Sequence, residues 1–228
     1  STLVTLNENN AVIFWDVTRT WPLGDSVAQE TDVASSTALS PDGRTLAISE
    51  ANGINLQDVT SNIVINTFSN DHVSRVNSVS LSPDKNILLT AGEDGKTIVW
   101  DLKTFQPLSD PITGYSIFSP GGKFVAFVDG IKNTTTLWSL ASQQVIGRPF
   151  SGQNVIFSVD EKFVTVGDAI KNTVTLWDLT VEQAIGEPLV AQSTAFSPDS
   201  KTLAVMDGYT TTLWDLTTQK VIGEPITG

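Results

Sequence analysis

Residues 138–149 read WSLASQQVIGRP, and near copies follow as WDLTVEQAIGEP at 177–188 and WDLTTQKVIGEP at 214–225. In each copy the tryptophan precedes the proline by 11 residues, and Trp100 precedes Pro111 by the same distance. The four tryptophans are separated by 38, 39 and 37 residues. A near-constant period of this length indicates one supersecondary unit copied along the chain.

A second marker sets the register of the copies. Five serine-containing turns lie 16 to 18 residues before a tryptophan position: LSPDG (Pro41), LSPDK (Pro83), FSPGG (Pro120), FSVDE (Val159) and FSPDS (Pro198). Trp15 marks an earlier copy, and Gln57 stands where the second tryptophan is expected. The chain is therefore predicted to form one domain over residues 1–228. It should consist of six repeats at 1–30, 31–70, 71–113, 114–151, 152–190 and 191–228.

Short apolar bursts alternate with turn residues inside each repeat. In the third repeat they are Val79–Leu81, Ile87–Thr90, Thr97–Trp100 and a weaker one near Phe105. Such runs predict strands joined as hairpins, and no segment keeps a helical period beyond two turns. Four strands every 40 residues or so predict an all-β fold, a β-propeller of about six four-stranded antiparallel blades. Proline suits the outermost strand of each blade, where no N–H is needed.

The first repeat is predicted to have only three strands. Residues Thr2–Leu6 align with Thr202–Met206, which is a second strand of the repeat, so no innermost strand precedes them. The first blade therefore lacks its innermost strand.

Composition restricts the class of partner. The formal net charge of -12 argues against nucleic acid or an anionic membrane, because both require a basic surface. No apolar run approaches the roughly 20 residues that span a bilayer, so no membrane insertion is expected. The absence of cysteine excludes disulfides and thiolate chemistry. It leaves the compartment open, either cytoplasmic or secreted.

The endings VWDL, LWDL and FWDV, with SPD turns upstream, resemble the WD-repeat family over the whole chain. The match is best in residues 71–113, where DHVSRVNSV resembles the Gly-His opening of that family with Asp71 in place of glycine. The resemblance implies a buried hydrogen-bonded tetrad consisting of His72, Thr90, Asp94 and Trp100. Buried polar groups need partners of this kind. The single histidine is accordingly assigned a structural role.

The later repeats depart from that pattern. The link from the tryptophan position to the next turn takes 26 residues twice and then only 20 or 21, so the Gly-His segment is lost in repeats 4 to 6. The segments Asp129–Thr134 and Asp168–Thr173, both containing IKNT, are extended in exchange. Both changes fall on one face of a propeller, which predicts a contact surface there with the polar participants Lys132, Asn133, Lys171 and Asn172. Duplication of one blade with its turn retained is the alternative explanation.

No residue set predicts catalysis, a metal site or a cofactor. The chain has one histidine, no cysteine and no phosphate-binding glycine loop, and its aspartates lie mostly at hairpin turns. The sequence favours a non-catalytic interaction platform, a scaffold or sensor propeller that binds other proteins, and it is compatible with a fragment of a longer repeat protein. The alternative is a structural subunit of an ordered assembly, completed by strand exchange between copies of itself.

Overall fold

The computed structural model describes residues 2–6, 12–16, 21–22, 36–50, 53–69, 72 and 74–227. These residues form strands, with no helix among them, and the strands form six antiparallel sheets. We number the sheets 1 to 6 because each coincides with one predicted repeat. The all-β, blade-type architecture is therefore confirmed. The chain divides into two compact units, residues 1–113 and 114–228, which are described separately, and the single domain stays a prediction.

The first unit contains sheets 1 to 3. Sheet 1 has three strands among the described residues, as predicted, and its first strand pairs with the second from Thr2 opposite Asp16 to Leu6 opposite Val12. Its strands are β1 (Thr2–Leu6), β2 (Val12–Asp16) and β3 (Trp21–Pro22). Those of sheet 2 are β4 (Ser36–Leu39), β5 (Thr45–Glu50), β6 (Gly53–Asp58) and β7 (Ile63–Ser69). Those of sheet 3 are β8 (Val76–Leu81), β9 (Ile87–Gly92), β10 (Lys96–Asp101), β11 (Gln106–Pro107) and β12 (Ile112–Thr113).

The second unit contains sheets 4 to 6. The strands of sheet 4 are β13 (Tyr115–Phe118), β14 (Phe124–Asp129), β15 (Thr134–Ser139) and β16 (Gln144–Ser151). Those of sheet 5 are β17 (Asn154–Phe157), β18 (Phe163–Asp168), β19 (Thr173–Asp178), β20 (Gln183–Ala184) and β21 (Leu189–Val190). Those of sheet 6 are β22 (Ser193–Phe196), β23 (Thr202–Met206), β24 (Thr210–Asp215) and β25 (Lys220–Thr227).

Strands of sheets 2 to 6 pair in chain order, and proline lies on the outermost strand. Pro107, Pro149 and Pro225 belong to β11, β16 and β25, each of which pairs on one side only. In sheets 3 and 5 the outermost strand is split into two short segments, and both segments pair with the third strand. Proline has no backbone N–H to donate, and at such an edge no neighbouring strand needs that hydrogen bond.

The repeated tryptophan anchors one sheet to its predecessor. Phe68, on the outermost strand of sheet 2, lies 5.0 Å from Trp100 between ring centroids. Phe150, on the outermost strand of sheet 4, lies 4.8 Å from Trp177 of sheet 5 in an edge-to-face arrangement. Aromatic pairs of this geometry contribute about 0.5–1.5 kcal/mol beyond the area that they bury. In sheets 3 and 5 the tryptophan therefore packs against the outermost strand of the preceding sheet.

The serine-containing turns share one local hydrogen-bond pattern. In four of them the serine hydroxyl donates to the carboxylate of the aspartate two residues later, at 2.6–2.8 Å. The pairs are Ser40–Asp42, Ser82–Asp84, Ser158–Asp160 and Ser197–Asp199. The same carboxylates accept a backbone N–H further along the turn. Each turn is thus closed by its own aspartate.

The turn of sheet 4 has Gly121 in place of that aspartate, and a neighbouring sheet supplies the carboxylate. Glu161, from the turn of sheet 5, accepts hydrogen bonds from the Ser119 hydroxyl and from the N–H groups of Gly121 at 2.8 Å and Lys123 at 3.2 Å. A Cβ at Gly121 would lie 2.5 Å from Glu161 Oε2. Glycine at position 121 therefore leaves space for the Glu161 carboxylate, which links sheet 5 to sheet 4 by hydrogen bonds.

Candidate functional site

The structure brings the four predicted tetrad residues into one hydrogen-bonded chain. His72 Nδ1 lies 3.2 Å from Asp94 Oδ1, and His72 Nε2 lies 2.9 Å from Thr90 Oγ1. Trp100 Nε1 donates to the same hydroxyl at 3.0 Å. His72, Thr90 and Trp100 are all buried. Asp71, which precedes the histidine, lies outside the described residues.

Both ring nitrogens of His72 have hydrogen-bond partners. The Asp94 carboxylate can only accept, so Nδ1 carries the ring hydrogen and donates it. Nε2 lies within hydrogen-bond distance of both the Thr90 hydroxyl, at 2.9 Å, and the Thr90 carbonyl, at 3.1 Å, and the hydroxyl oxygen also receives the Trp100 indole N–H. Asp94 is itself positioned by its own N–H, which donates to Ser74 Oγ at 2.8 Å. The histidine is therefore engaged on both ring nitrogens.

Other sheets fill the place of this tetrad with different residues. Strand pairing aligns Thr90 with Phe127 in sheet 4 and with Val166 in sheet 5. Within the described part of the chain, the buried Nε1 of Trp177 has no hydrogen-bond partner. The reason is direct: Val166 has a methyl group where Thr90 has the hydroxyl that receives Trp100.

The last residue of the second strand also differs between sheet 3 and sheets 4 and 5. At Gly92 of sheet 3 a Cβ would lie 2.7 Å from both Asp94 Oδ1 and His72 Nδ1, so only glycine leaves room for the imidazole. The aligned residues in sheets 4 and 5 are Asp129 and Asp168, which are both buried. Where the histidine segment is lost, a carboxylate takes its place.

These two aspartates organise the IKNT loops. The Asp129 carboxylate accepts the N–H groups of Ile131 at 3.1 Å and Lys132 at 3.0 Å. Asp168 does the same for Ile170 at 3.0 Å and Lys171 at 3.3 Å. Each loop then closes with an asparagine of positive φ, 52° at both Asn133 and Asn172. Aspartate and asparagine are the residues that adopt these conformations most readily.

The loop of sheet 4 is hydrogen-bonded to the base of the loop of sheet 5. Asn133 Nδ2 donates to Asp168 Oδ1 at 3.0 Å, and the Ser151 hydroxyl donates to Asp168 Oδ2. Lys171 Nζ donates to Ser151 Oγ at 2.9 Å. The hydrogen bond from Ser151, followed by those from Asn133 and the loop amides, holds the pKa of Asp168 well below its usual range. Two adjacent loops thus share one buried carboxylate.

The shortened link between sheets 4 and 5 lies against the same loops. Gln153 Nε2 donates to Asn133 Oδ1 at 3.0 Å and to the Gly130 carbonyl at 3.3 Å. The Gly152 N–H donates to the Asn133 carbonyl at 2.8 Å. Gly152 has a φ of +119°, and a Cβ there would lie 2.3 Å from the Gly167 carbonyl oxygen. The trimmed link and the extended loop are therefore neighbours, and glycine permits the tight crossing.

The four predicted contact residues differ in availability. Lys132 and Lys171 are exposed, and each forms an ion pair with the aspartate of its own loop, at 3.1 Å to Asp129 and 3.4 Å to Asp168. Asn172 is exposed as well. Asn133 is half-buried, and its side chain is hydrogen-bonded to both Asp168 and Gln153. Lys132, Lys171 and Asn172 are thus accessible, whereas Asn133 is engaged in the framework of the loops.

Sequence reasoning did not identify several residues that build this site. Asp168, Ser151 and Gln153 form the polar network below the lysines, and Glu161 joins the turns of sheets 4 and 5. A signal for Glu161 was present, because FSPGG at 118–122 lacks the aspartate of the other turns and FSVDE at 157–161, one repeat later, has a glutamate after its aspartate. For the network, the only signal was that both extended loops begin with aspartate.

A cavity of about 270 Å³ opens beside the loops, between the innermost strands of sheets 4, 5 and 6. Tyr115, Asn154 and Ser193 contribute from those strands, and Gln153 and Gln192 contribute from the links. No charged side chain is among its lining residues. Gln153 therefore belongs both to the cavity wall and to the loop framework.

Two further findings concern the described residues as a set. They contain no cluster of three or more histidine, aspartate or glutamate side chains placed to bind a metal ion. They also contain no helix of the length and apolar character required to cross a membrane.

Residues 63–101 match the family described as WD domain, G-beta repeat. The matched segment begins at β7, the outermost strand of sheet 2, and ends at β10, the third strand of sheet 3. It includes all four tetrad residues. The sequence repeat is thus offset by one strand from the sheet, as the packing of Phe68 on Trp100 requires. The match covers one of the six repeats and, together with the blade-type sheets, supports a WD-repeat assignment.

Proposed function

We propose that the chain is a non-catalytic protein-interaction platform, and that its partner surface consists of the loops 129–134 and 168–173. The observation that carries this proposal is the shared network around Asp168, which fixes two long loops to each other while their lysines stay exposed. Binding residues are commonly placed on loops that a rigid scaffold positions. Proteins with WD repeats typically mediate protein–protein interactions, which supports the same function.

The polar residues of this surface have distinct proposed roles. Lys132 and Lys171 are cations on a molecule of net charge -12, so they attract and orient an acidic partner. An exposed charge pair contributes only about 0.2–1 kcal/mol, so the lysines act mainly on the association rate. Asn172 offers its exposed amide to a partner, whereas Asn133 holds the loop in place. The tetrad of sheet 3 has a structural role in this proposal.

The proposal of no catalysis rests on how the reactive groups are used. His72 is buried and bonded through both ring nitrogens to Asp94 and Thr90, so it is not available as a base. The buried carboxylates Glu161 and Asp168 accept several hydrogen bonds each and close turns or loops.

A charge-reversal experiment tests the proposed surface. Peptides are selected from a phage-displayed library of random 12-residue sequences, and their association with the purified protein is measured at low and high salt. We expect Lys132→Glu/Lys171→Glu to slow association and to weaken its salt dependence. The control is Lys162→Glu/Lys201→Glu, which makes the same change in net charge at two exposed lysines in the serine-containing turns. Equal effects of both double variants, or no effect of either, would place the binding surface elsewhere.

A second candidate function is self-assembly, and two observations favour it. The edge of β1 away from β2 has no strand partner among the described residues, so it is open to strand addition. In sheet 6, Ile222 and Ile226 are exposed, whereas the aligned Ile146 and Phe150 of sheet 4 are buried. Both features fit contact with a second copy. Native mass spectrometry at low and high protein concentration is the test, and a monomer at every concentration would eliminate this candidate.

A further inference from the structure

Three loops of the second unit carry a large apolar side chain at the tip. Ile131 is 97% exposed, Tyr209 86% and Ile170 77%, the three highest exposures of large hydrophobic residues in the described part of the chain. Each lies in the turn that joins the second strand of its sheet to the third. The corresponding turn of sheet 3 contains Glu93, Asp94 and Gly95 and has no apolar residue. Apolar tips are therefore a property of sheets 4 to 6.

Hydrogen bonds fix the backbone of these loops next to the exposed side chains. Asp129 and Asp168 accept the amides of the isoleucines, and the positive φ of Asn133 and Asn172 closes each loop. In sheet 6 Asp207 accepts the N–H of Thr210 at 3.1 Å and its hydroxyl at 2.7 Å, which constrains the turn around Tyr209. Preorganised apolar groups lose little conformational entropy when they bind.

The links between sheets hold the three tips in one framework. Asn133 is bonded to Asp168, as described above. The Ala191 N–H donates to the Asn172 carbonyl at 3.0 Å, and the next residue, Gln192, donates its N–H to the Met206 carbonyl at 2.8 Å. The loop of sheet 5 is thus connected to the end of β23, where the turn containing Tyr209 begins.

The charge next to the isoleucines is positive at the surface. The side chains of Lys132 and Lys171 are 70% and 63% exposed, whereas the aspartates that pair with them are buried. A partner that approaches the two isoleucine tips therefore meets ammonium groups before it meets carboxylates, whereas Asp207 is exposed beside Tyr209. Complementarity requires carboxylates on the partner beside its own apolar side chains.

We propose that Ile131, Ile170 and Tyr209 form an apolar contact surface, and that it binds a protein segment in which aliphatic or aromatic residues are flanked by aspartate or glutamate. This proposal rests on the proposed function and specifies its partner. The isoleucines and the tyrosine supply the buried contact, and Lys132 and Lys171 supply orientation at its rim.

The test uses the same 12-residue peptide library with different variants. Ile131→Ser/Ile170→Ser/Tyr209→Ser removes the apolar tips and leaves every charge in place. We expect peptide binding to weaken by about tenfold or more, through faster dissociation, since a few buried apolar anchors dominate an interface. Val145→Ser/Val181→Ser is the control, because it removes two exposed valines away from the tips, Val145 at the start of β16 and Val181 in the turn between β19 and β20. Ile131→Val/Ile170→Val should retain binding.

The outcomes separate the two proposals. Unchanged dissociation in the triple serine variant, with slowed association in the lysine variant, overturns the apolar surface and leaves the proposed function standing. Peptides unaffected by either variant contradict both, and so does a library that yields no binder. Enriched peptides that are basic, or that lack apolar residues, overturn the partner class. A dimer that forms in the wild type and is lost in the triple variant would assign the surface to a second copy and also overturn the proposal.

Discussion

A single side-chain difference separates Trp100, whose indole N–H has an acceptor, from Trp177, whose buried N–H has none among the described residues. In sheet 3 the hydroxyl of Thr90 receives the Trp100 N–H and meets the imidazole of His72. In sheet 5 Val166 occupies the aligned position, and the N–H of Trp177 is buried without a partner. An unpaired buried donor costs about 1–3 kcal/mol relative to a paired one. The same tryptophan is therefore used at different energetic cost in different repeats.

Reciprocal substitutions at these two positions test that comparison. Thr90→Val removes the acceptor of Trp100 and a partner of His72, so we expect the free energy of unfolding to fall by about 1–3 kcal/mol. Val166→Thr offers Trp177 the missing acceptor, so the free energy of unfolding should be unchanged or raised by up to about 1 kcal/mol. Chemical denaturation measures both. Similar destabilisation by the two variants would contradict the tetrad as a buried network.

At the residue scale the sequence predicted which groups would meet in sheet 3, because the spacing of the histidine, threonine, aspartate and tryptophan follows the family pattern. It did not predict that Asn133 would bind Asp168. Spacing along the chain shows which residues share a loop, but not which carboxylate of a neighbouring sheet lies within reach. Lys132 and Lys171 lie on exposed loops, and their ion pairs with Asp129 and Asp168 depend on that same geometry.

At the scale of the element, the turn between the first and second strands has two ways to obtain a carboxylate. In four turns the serine hydroxyl donates to an aspartate of the same turn. In the turn of sheet 4 the acceptor is Glu161, which belongs to sheet 5. Burial by itself would raise the pKa of Glu161, but the hydrogen bonds from Ser119 and from the Lys123 and Gly121 amides lower the pKa below its usual value. The glutamate is thus held in its charged form by a neighbouring turn.

A double-mutant cycle tests the borrowed carboxylate. Glu161→Gly leaves the Ser119 hydroxyl and two amides without their acceptor, and we expect a loss of about 1–3 kcal/mol in the free energy of unfolding. Gly121→Asp alone brings a Cβ to within 2.5 Å of Glu161 Oε2 and adds a like charge, so it should destabilise too. Together the two changes recreate the turn of the other sheets, so the double variant should recover most of the loss. Additive losses would mean that the two residues do not exchange roles.

Strand number, order and the placement of proline followed from the sequence at this scale. Short apolar bursts with a period of two specify hairpins, and hairpins pair in chain order. The division of the outermost strand in sheets 3 and 5, but not in 4 and 6, did not follow. The segment from tryptophan to proline is nearly the same in sheets 4, 5 and 6, so its sequence does not explain why the outermost strand is continuous in sheets 4 and 6 and divided in sheet 5. In sheets 4 and 6 the continuous strands Gln144–Ser151 and Lys220–Thr227 pair with the third strand through a β-bulge.

At the scale of the whole molecule, the acidic composition has a structural use. Many of the 25 aspartates and glutamates close turns, and hydrogen bonds lower the pKa of Asp84, Asp160, Asp199, Asp207 and Asp215. The net charge of -12 has the opposite effect on stability, because like charges repel in the compact state. The dependence of stability on pH reports the balance of these two effects.

We expect the unfolding temperature to change little between pH 7 and about pH 4.5, and then to fall as the pH decreases further. A carboxylate whose pKa is lower in the folded state than in the unfolded chain stabilises fully above its unfolded pKa, which is about 4. That stabilisation is lost as the pH falls through the folded value, so the loss belongs below about pH 4. Approach to the pI of about 4.3 removes repulsion and opposes any earlier decrease.

Thermal unfolding followed by circular dichroism from pH 7 to pH 2, at low salt and at high salt, measures both effects. High salt screens the repulsion between exposed charges but leaves short hydrogen bonds to buried carboxylates largely intact. The decrease below pH 4 should therefore persist in high salt. Glu161→Gln removes one titrating group and should make that decrease smaller than in the wild type. An unfolding temperature at pH 3 equal to or above that at pH 5 would show that the turn carboxylates contribute no net stability, and that repulsion alone governs how this acidic molecule responds to pH.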